Sequence, residues 1–248
     1  MKFLVALKYL TTIPLPLRRQ SGFEEMGGSS LFFPLVGLLI GLFLASLSWL
    51  LKLLLPAALV NVLVVSALVA ITGARHLDGL AHTADGLVGH ATREARLEIT
   101  GDKRTGSFGI IAVAALLLLK YIALDSLPQG LWLATLIYMP VLGRWAMVYA
   151  IFSFQSARPS GLDGDFKRGT RWYGLLVATL TALAVTFALA RLPGLVVMLG
   201  VLVAVTILAL YLRGRFGGLT VAAYGATGEF AEAVTLVMVS LLVYLGLA

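Results

Sequence analysis

Seven long apolar runs dominate this sequence and constrain its fold more than any other feature. They lie at 31–55, 57–73, 107–124, 131–153, 173–191, 194–212 and 232–248. About 20 apolar residues in a helix span a bilayer core, and a helix satisfies its own backbone hydrogen bonds in lipid. Only 12% of the residues are charged, against about 25% in soluble domains. The sequence therefore predicts an all-α polytopic membrane bundle of about seven spans plus short interfacial helices, with residues 1–248 forming a single membrane domain.

The connections between the runs are of two kinds. Three are short turns marked by proline, whereas four segments are longer, polar and rich in glycine: 1–30, 74–106, 154–172 and 213–231. These four segments hold 15 of the 19 basic residues. Because Lys and Arg accumulate on the cytoplasmic side of membrane proteins, we predict a multi-pass protein of the cell (inner) membrane whose working face is cytoplasmic. This topology, with phosphorylated or anionic-lipid partners, explains the formal charge of +7 better than nucleic acid does.

One polar stretch, 75–109, contains all three histidines and five of the twelve acidic residues. Five of its side chains follow helical spacing: Asp78, His82 and Asp85 at i, i+4 and i+7, and Glu98 and Asp102 at i, i+4. This spacing places each group on one face of a helix. We predict two short facing helices that bring four carboxylates and an imidazole to one point. Hard oxygen ligands of this kind suit Mg²⁺, Mn²⁺ or Ca²⁺ better than zinc, so 75–109 is predicted to be a cytoplasmic acidic metal-binding motif.

Cations alternate with these acids, which indicates a phosphorylated substrate. They are Arg75, Arg93, Arg96, Lys103 and Arg104. A metal and basic side chains together neutralise the charge that spreads over phosphoryl oxygens when a pyrophosphate bond breaks. The segment 101–109, which contains Ser107, comes just before a span, and the free backbone N–H groups of that helix start are expected to hold a further phosphate.

The double acidic motif resembles that of the cobalamin synthase family, the membrane-bound adenosylcobinamide-GDP ribazoletransferases or cobalamin-5'-phosphate synthases. The family's pattern is H-x-D-G-L-A-D-T-x-D-G, followed by E-x-x-x-D-x-R-x-G-x-F-G. The chain matches it at 76–86 and at 98–109. Weaker similarity covers most of the remaining chain, including 32–37, Arg144 with Trp145, 157–162 and 217–232.

The resemblance implies a transferase of cobalamin biosynthesis in the inner membrane that requires Mg²⁺, with Mn²⁺ as an alternative. In the implied reaction, α-ribazole or its 5'-phosphate attacks adenosylcobinamide-GDP, GMP leaves, and a phosphodiester forms. The implied partners are these two substrates and the lipid bilayer, with no nucleic acid, and a homo-oligomer is left open. Three positions depart from the family's pattern: His82 stands in place of Asp, and Val221 and Ala222 stand in place of Gly-Asp.

On this basis we assign site residues as hypotheses. The metal ligands are Asp78, His82, Asp85, Glu98 and Asp102. His76 is the candidate general base, because an imidazole near its reference pKa suits proton transfer at neutral pH. Further catalytic or substrate-binding groups are Asp102, Arg104, Arg75, Lys103, Ser107, Arg144 and Arg158. Arg144 lies within an apolar span, where charges are costly and usually functional, so we expect a partner for it such as Glu229 or Glu232.

Two other functions are compatible with the same residues. One is a membrane phosphotransferase of the CDP-alcohol type that acts on another alcohol. The other is a divalent-cation transporter that binds its ion through the same acids. Transporters place such acids near the middle of the membrane, often on broken helices, whereas here they cluster in a loop, which favours an enzyme.

Overall fold

The structure, a computed structural model, describes residues 1–15, 23–88, 92–101 and 104–247. Within these ranges the chain forms eleven α-helices and one 3-10 turn at Ser30–Phe32. The helices are α1 (Lys2–Leu10), α2 (Phe23–Ser29), α3 (Phe33–Leu51), α4 (Ala57–Thr72), α5 (Arg75–Leu87), α6 (Arg93–Ile99), α7 (Ser107–Asp125), α8 (Gln129–Ser153), α9 (Gly161–Gly169), α10 (Trp172–Phe216) and α11 (Val221–Tyr244). No strand is found in the described ranges beyond a single bridge between Ser156 and Leu219. The predicted all-α membrane fold is confirmed.

Five helices of the described chain are long and apolar enough to cross a membrane. A sixth crossing is provided by α4 if it is taken together with α5, which is bent from it by 88°. Because of this bend we treat α4 as the crossing segment and α5 as an interfacial helix. The other short helices are α1, α2, α6 and α9; their position at the membrane interface stays a prediction.

The 45-residue helix α10 is a hairpin of two segments. Its helical backbone breaks at Arg191, where φ is 51° and ψ is −138°. Thr179 and Thr206 lie on opposite sides of this break, yet they hydrogen-bond to residues one turn apart on α8, at 3.0 Å from Trp145 and 2.9 Å from Tyr149. A straight helix at 1.5 Å per residue would hold the two threonines roughly 40 Å apart. By length and composition the described helices give five to six candidate spans, and the break in α10 divides the longest of them into two segments; the count of seven stays a prediction.

The prediction was wrong about where the last span begins. We expected a polar loop over 213–231 and a span at 232–248, but α11 runs from Val221 to Tyr244. Its start is fixed by Thr220, whose hydroxyl accepts the Ala223 N–H at 3.1 Å as an N-cap. The Gly and Ala residues that follow resemble loop composition, but their small side chains let the helix pack closely against its neighbours.

Helix α8 is the centre of the bundle and packs against α3, α10 and α11. Gly37 and Gly41 of α3 make its contact with α3 possible. A Cβ at Gly37 would lie 2.5 Å from the Pro140 carbonyl oxygen, and one at Gly41 would lie 2.3 Å from that of Ile137. Two glycines spaced by four residues therefore let the two backbones touch, as is common between helices in membranes.

Candidate active site

A cavity of about 300 Å³ lies where α1, α5, α9 and the start of α11 meet. Nine of its fourteen lining residues have polar or charged side chains; the lining consists of Tyr9, Arg75, His76, Asp78, Gly79, His82, Thr100, Gly101, Arg158, Asp163, Thr220, Val221, Ala222 and Gly225. Arg75, His76, Asp78, His82 and Arg158 belong to the predicted site. The structure therefore brings five of the predicted residues to one cavity.

Helix α5 carries the predicted acidic stripe. Asp78 and His82 form an i, i+4 pair in which His82 Nε2 lies 3.2 Å from Asp78 Oδ1. The Asp78 side chain is 64% exposed and that of His82 is 8% exposed. The carboxylate thus presents its free edge to the cavity while the imidazole supports it from inside the protein.

Asp85, the third member of the stripe, faces another helix. Its Oδ2 accepts the Gly106 N–H at 2.6 Å and its Oδ1 accepts the Gly109 N–H at 2.8 Å, at the start of α7. A Cβ at either glycine would come within 2.6 Å of this carboxylate, which explains why both positions are glycine. Asp85 therefore occupies backbone N–H groups that we had expected to bind a phosphate, while Ser107 is exposed beside it.

The second acidic helix is only partly described. Glu98 lies on α6, which packs against α5 as predicted, and its side chain is exposed. Arg104 is also exposed. Asp102 and Lys103 lie outside the described residues, directly after Gly101 of the cavity wall. Among the residues that are described, no three His, Cys, Asp or Glu side chains lie close enough together to hold a metal ion.

Four arginines cap the C-termini of helices, a role that the sequence analysis did not foresee. Their acceptors are backbone carbonyl oxygens: Arg75 donates to Lys8 and Tyr9, Arg93 to Phe216, Arg96 to Leu87, and Arg158 to Leu97. A cation at a helix C-terminus is favoured by the helix dipole. Arg75 and Arg158 also line the cavity, so they combine this structural role with a positive charge at the site.

His76, the candidate general base, is 3% exposed on the cavity wall. Neither ring nitrogen has a hydrogen-bond partner among the described residues. Burial, and then the positive charges of Arg144, Lys120 and Arg75, hold the pKa of His76 well below its ordinary value. The imidazole is therefore neutral and a weaker base than a free histidine.

Arg144 has the partner that we predicted. Its Nη1 lies 2.9 Å from Glu232 Oε1, and both side chains are completely buried. Lys120, which the sequence analysis did not single out, lies 2.6 Å from Glu229 and 2.5 Å from Glu232. The two acids lie in the interior of α11, which begins at Val221. Binding of substrate by Arg144 stays a prediction.

Asp163 is a site residue that sequence reasoning missed. It lies on α9 and is 6% exposed on the cavity wall. Its Oδ1 accepts the Val221 N–H at 2.8 Å, and Arg158 Nη1 lies 3.9 Å from its Oδ2. Burial raises the pKa of Asp163, although the Val221 hydrogen bond and Arg158 oppose this shift. One sequence signal could have identified it: Asp163 is an acidic residue between Gly161 and Gly164, directly after the stretch 157–162 that resembles the family.

Comparison with known proteins identifies the family of the chain. A model of the family described as cobalamin-5-phosphate synthase matches residues 2–240. The chain belongs to this family. Among curated relatives named adenosylcobinamide-GDP ribazoletransferase, that of Geotalea daltonii is 35% identical over 93% of this chain and 93% of its own length, and that of Pseudomonas putida is 38% identical over 99% and 98%. No solved structure matches.

The three positions at which the sequence departs from the pattern described above lie close together in the structure. His82, Val221 and Ala222 all line the cavity. They stand together because α5 packs closely on α11: a Cβ at Gly79 would lie 2.6 Å from the Ala222 carbonyl oxygen. The three departures noted in the sequence therefore lie together at the cavity, on two helices that face each other.

Proposed function

We propose that this chain is an adenosylcobinamide-GDP ribazoletransferase. It transfers the cobinamide phosphate of adenosylcobinamide-GDP to α-ribazole or its 5'-phosphate and releases GMP, in the last steps of cobalamin synthesis. The observation that carries the proposal is the family match over residues 2–240, together with the activity named for the relatives. The polar cavity is consistent with this reaction, since it combines acids with two arginines at the end of a membrane bundle.

The cavity supplies the charges that a pyrophosphate needs. Arg75 and Arg158 place two guanidinium groups on its wall, held in position by the helix carbonyls that they cap. Each guanidinium has five N–H donors, so donors remain to bind phosphate oxygens. Their charge stabilises the oxygens that become more negative as the bond to GMP breaks.

Mg²⁺ is the cofactor that we propose for the site. Among the described residues of the cavity wall, Asp78 and His82 form a close pair of ligating side chains, and Asp102, which follows Gly101 in the sequence, is proposed as a further carboxylate ligand. This set fits Mg²⁺, which is held by one or two carboxylates and completes its shell with water and substrate phosphate. When bound, the ion would neutralise phosphate oxygens and act as a Lewis acid. Mn²⁺ is proposed as an alternative, because an imidazole in place of a carboxylate suits it better.

The site is proposed to face the cytoplasm at the inner membrane. The short helices α1, α5, α6 and α9 and their basic residues supply the positive side that the positive-inside rule places there. This orientation brings the cavity to the compartment that contains nucleotide-activated substrates. Helices α3, α7, α8, α10 and α11 provide the apolar surface for the lipid bilayer.

The assay that tests the proposal uses the purified chain in detergent micelles. Adenosylcobinamide-GDP and α-ribazole 5'-phosphate are added with Mg²⁺ or Mn²⁺, and GMP is followed by chromatography. The proposal predicts GMP and a cobamide in equal amounts. Release of CMP from a CDP-alcohol in their place would indicate the related phosphotransferase. Absence of both products with either metal would contradict the proposal.

A further inference from the structure

The side chain of Asp163 is held firmly at one oxygen and left open at the other. Oδ1 accepts the N–H of Val221, the first residue of α11, at 2.8 Å. Oδ2 is buried and has no hydrogen-bond partner among the described residues. A buried polar atom without a partner is costly, so a native protein that retains one usually has a use for it.

The neighbours of Asp163 include other residues of the cavity wall. Asp163 shares the cavity wall with Asp78, His82 and Arg158, and Arg158 Nη1 is 3.9 Å away, beyond hydrogen-bond distance. Tyr9 of α1 and Tyr224 of α11 are the other titratable groups that interact electrostatically with Asp163. Burial raises the pKa of Tyr9 to about 12, so its phenol is neutral and does not compete as a base.

A carboxylate of this kind is suited to accept a proton. Oδ1 is fixed by the Val221 N–H, so Oδ2 needs no reorganisation when a hydroxyl approaches. Burial shifts a carboxylic acid towards neutrality, and a catalytic acid or base works best when its pKa is near the working pH. His76, on the same wall, is surrounded by Arg144, Lys120 and Arg75, which disfavour a protonated imidazole.

We propose that Asp163 is the proton acceptor for the attacking hydroxyl of the ribazole substrate. This role rests on the proposed function. The hydroxyl oxygen forms a bond to the phosphorus of the cobinamide phosphate, its proton moves to Oδ2 of Asp163, and the bond from that phosphorus to the GMP oxygen breaks. GMP leaves with the bonding electron pair, and Asp163 releases the proton to solvent before the next turnover.

The test compares Asp163→Asn with the wild-type chain in detergent. Asparagine keeps an oxygen that accepts the Val221 N–H, so the start of α11 is preserved, but it does not accept a proton. We expect kcat to fall by about 10²–10⁴-fold, while the Kd for adenosylcobinamide-GDP, measured by equilibrium dialysis, changes less than about threefold. The wild-type kcat should rise with pH along an acidic limb, and this limb should be absent from the residual activity of Asp163→Asn.

The matched control is Asp165→Asn, two residues further on α9, where the carboxylate pairs with Arg168 at 2.6 Å. This variant should keep the wild-type kcat and acidic limb. Asp163→Glu, which retains a carboxylate, should recover part of the activity. A kcat for Asp163→Asn within about threefold of the wild type, or an unchanged acidic limb, would overturn the proposal. A wild-type chain that releases no GMP would refute the proposed function itself, which is a separate result.

Discussion

Removing one charge from the buried cluster should reveal how much it contributes to stability. Four charged groups meet between α7, α8 and α11: Lys120, Arg144, Glu229 and Glu232. Glu232 bridges both cations, at 2.5 Å from Lys120 and 2.9 Å from Arg144, and it is completely buried. The cluster is neutral, with two positive and two negative side chains. Glu232→Gln leaves it with a net charge of +1 and removes the carboxylate that pairs with Arg144 among the described residues.

The magnitude follows from the difference between breaking a buried pair and removing it. Loss of one partner of a buried ion pair costs about 3–5 kcal/mol, because the other charge stays buried without compensation. We therefore expect Glu232→Gln to lower the free energy of unfolding by about 3–5 kcal/mol. Lys120→Met together with Glu229→Gln removes one charge of each sign and keeps the Arg144–Glu232 pair. This double variant should be more stable than Lys120→Met alone.

The assay is equilibrium unfolding in mixed micelles of a mild detergent and sodium dodecyl sulfate, followed by circular dichroism. Asp165→Asn is the control, because it breaks an exposed i, i+3 pair with Arg168 that is worth less than about 1 kcal/mol. If Glu232→Gln changed stability no more than this control, the cluster would not contribute as argued. Additive effects in the double variant would also refute the reasoning, because residues in one ionic network should show a coupling energy.

Two further substitutions test the site. Gly109→Ala should displace the Asp85 carboxylate, because the new Cβ would lie 2.5 Å from its Oδ2. We expect the free energy of unfolding to fall by about 1–3 kcal/mol, measured by thermal denaturation. The control Gly130→Ala, with open space around the new Cβ, should cost less than about 0.5 kcal/mol. Equal melting temperatures for the two variants would contradict this reasoning. His82→Asp should lower the Mg²⁺ concentration that gives half-maximal GMP release, because it replaces the imidazole beside Asp78 with a carboxylate. An unchanged metal titration would show that His82 is not near the ion.

The membrane fold could be predicted from the sequence because helices that cross lipid appear as long apolar runs. Apolar length and the distribution of basic residues located the spans. The pairing of Arg144 with Glu232 also followed, since a charge within a span requires a partner. The start of α11 was predicted about ten residues too late because a helix rich in Gly and Ala has the composition of a loop, and only the Thr220 cap and the contact with α5 distinguish the two.

The site was harder to predict because its residues are distant in sequence. The helical spacing of Asp78 and His82 was correct, but spacing did not show that Asp85 would turn to the start of α7. Arginines that were expected to bind phosphate also cap helix C-termini, which only the packing of the interfacial helices reveals. Asp163 belongs to the cavity because its carboxylate accepts the Val221 N–H at the start of α11, and nothing in the local sequence indicates that contact.

The most direct test of the central claim is a density map of the chain with adenosylcobinamide-GDP and Mg²⁺ bound. The account predicts the diphosphate in the cavity between Asp78 and Asp163, a cation beside Asp78, and guanidinium contacts from Arg75 or Arg158. A diphosphate bound elsewhere on the protein, with this cavity empty, would contradict it.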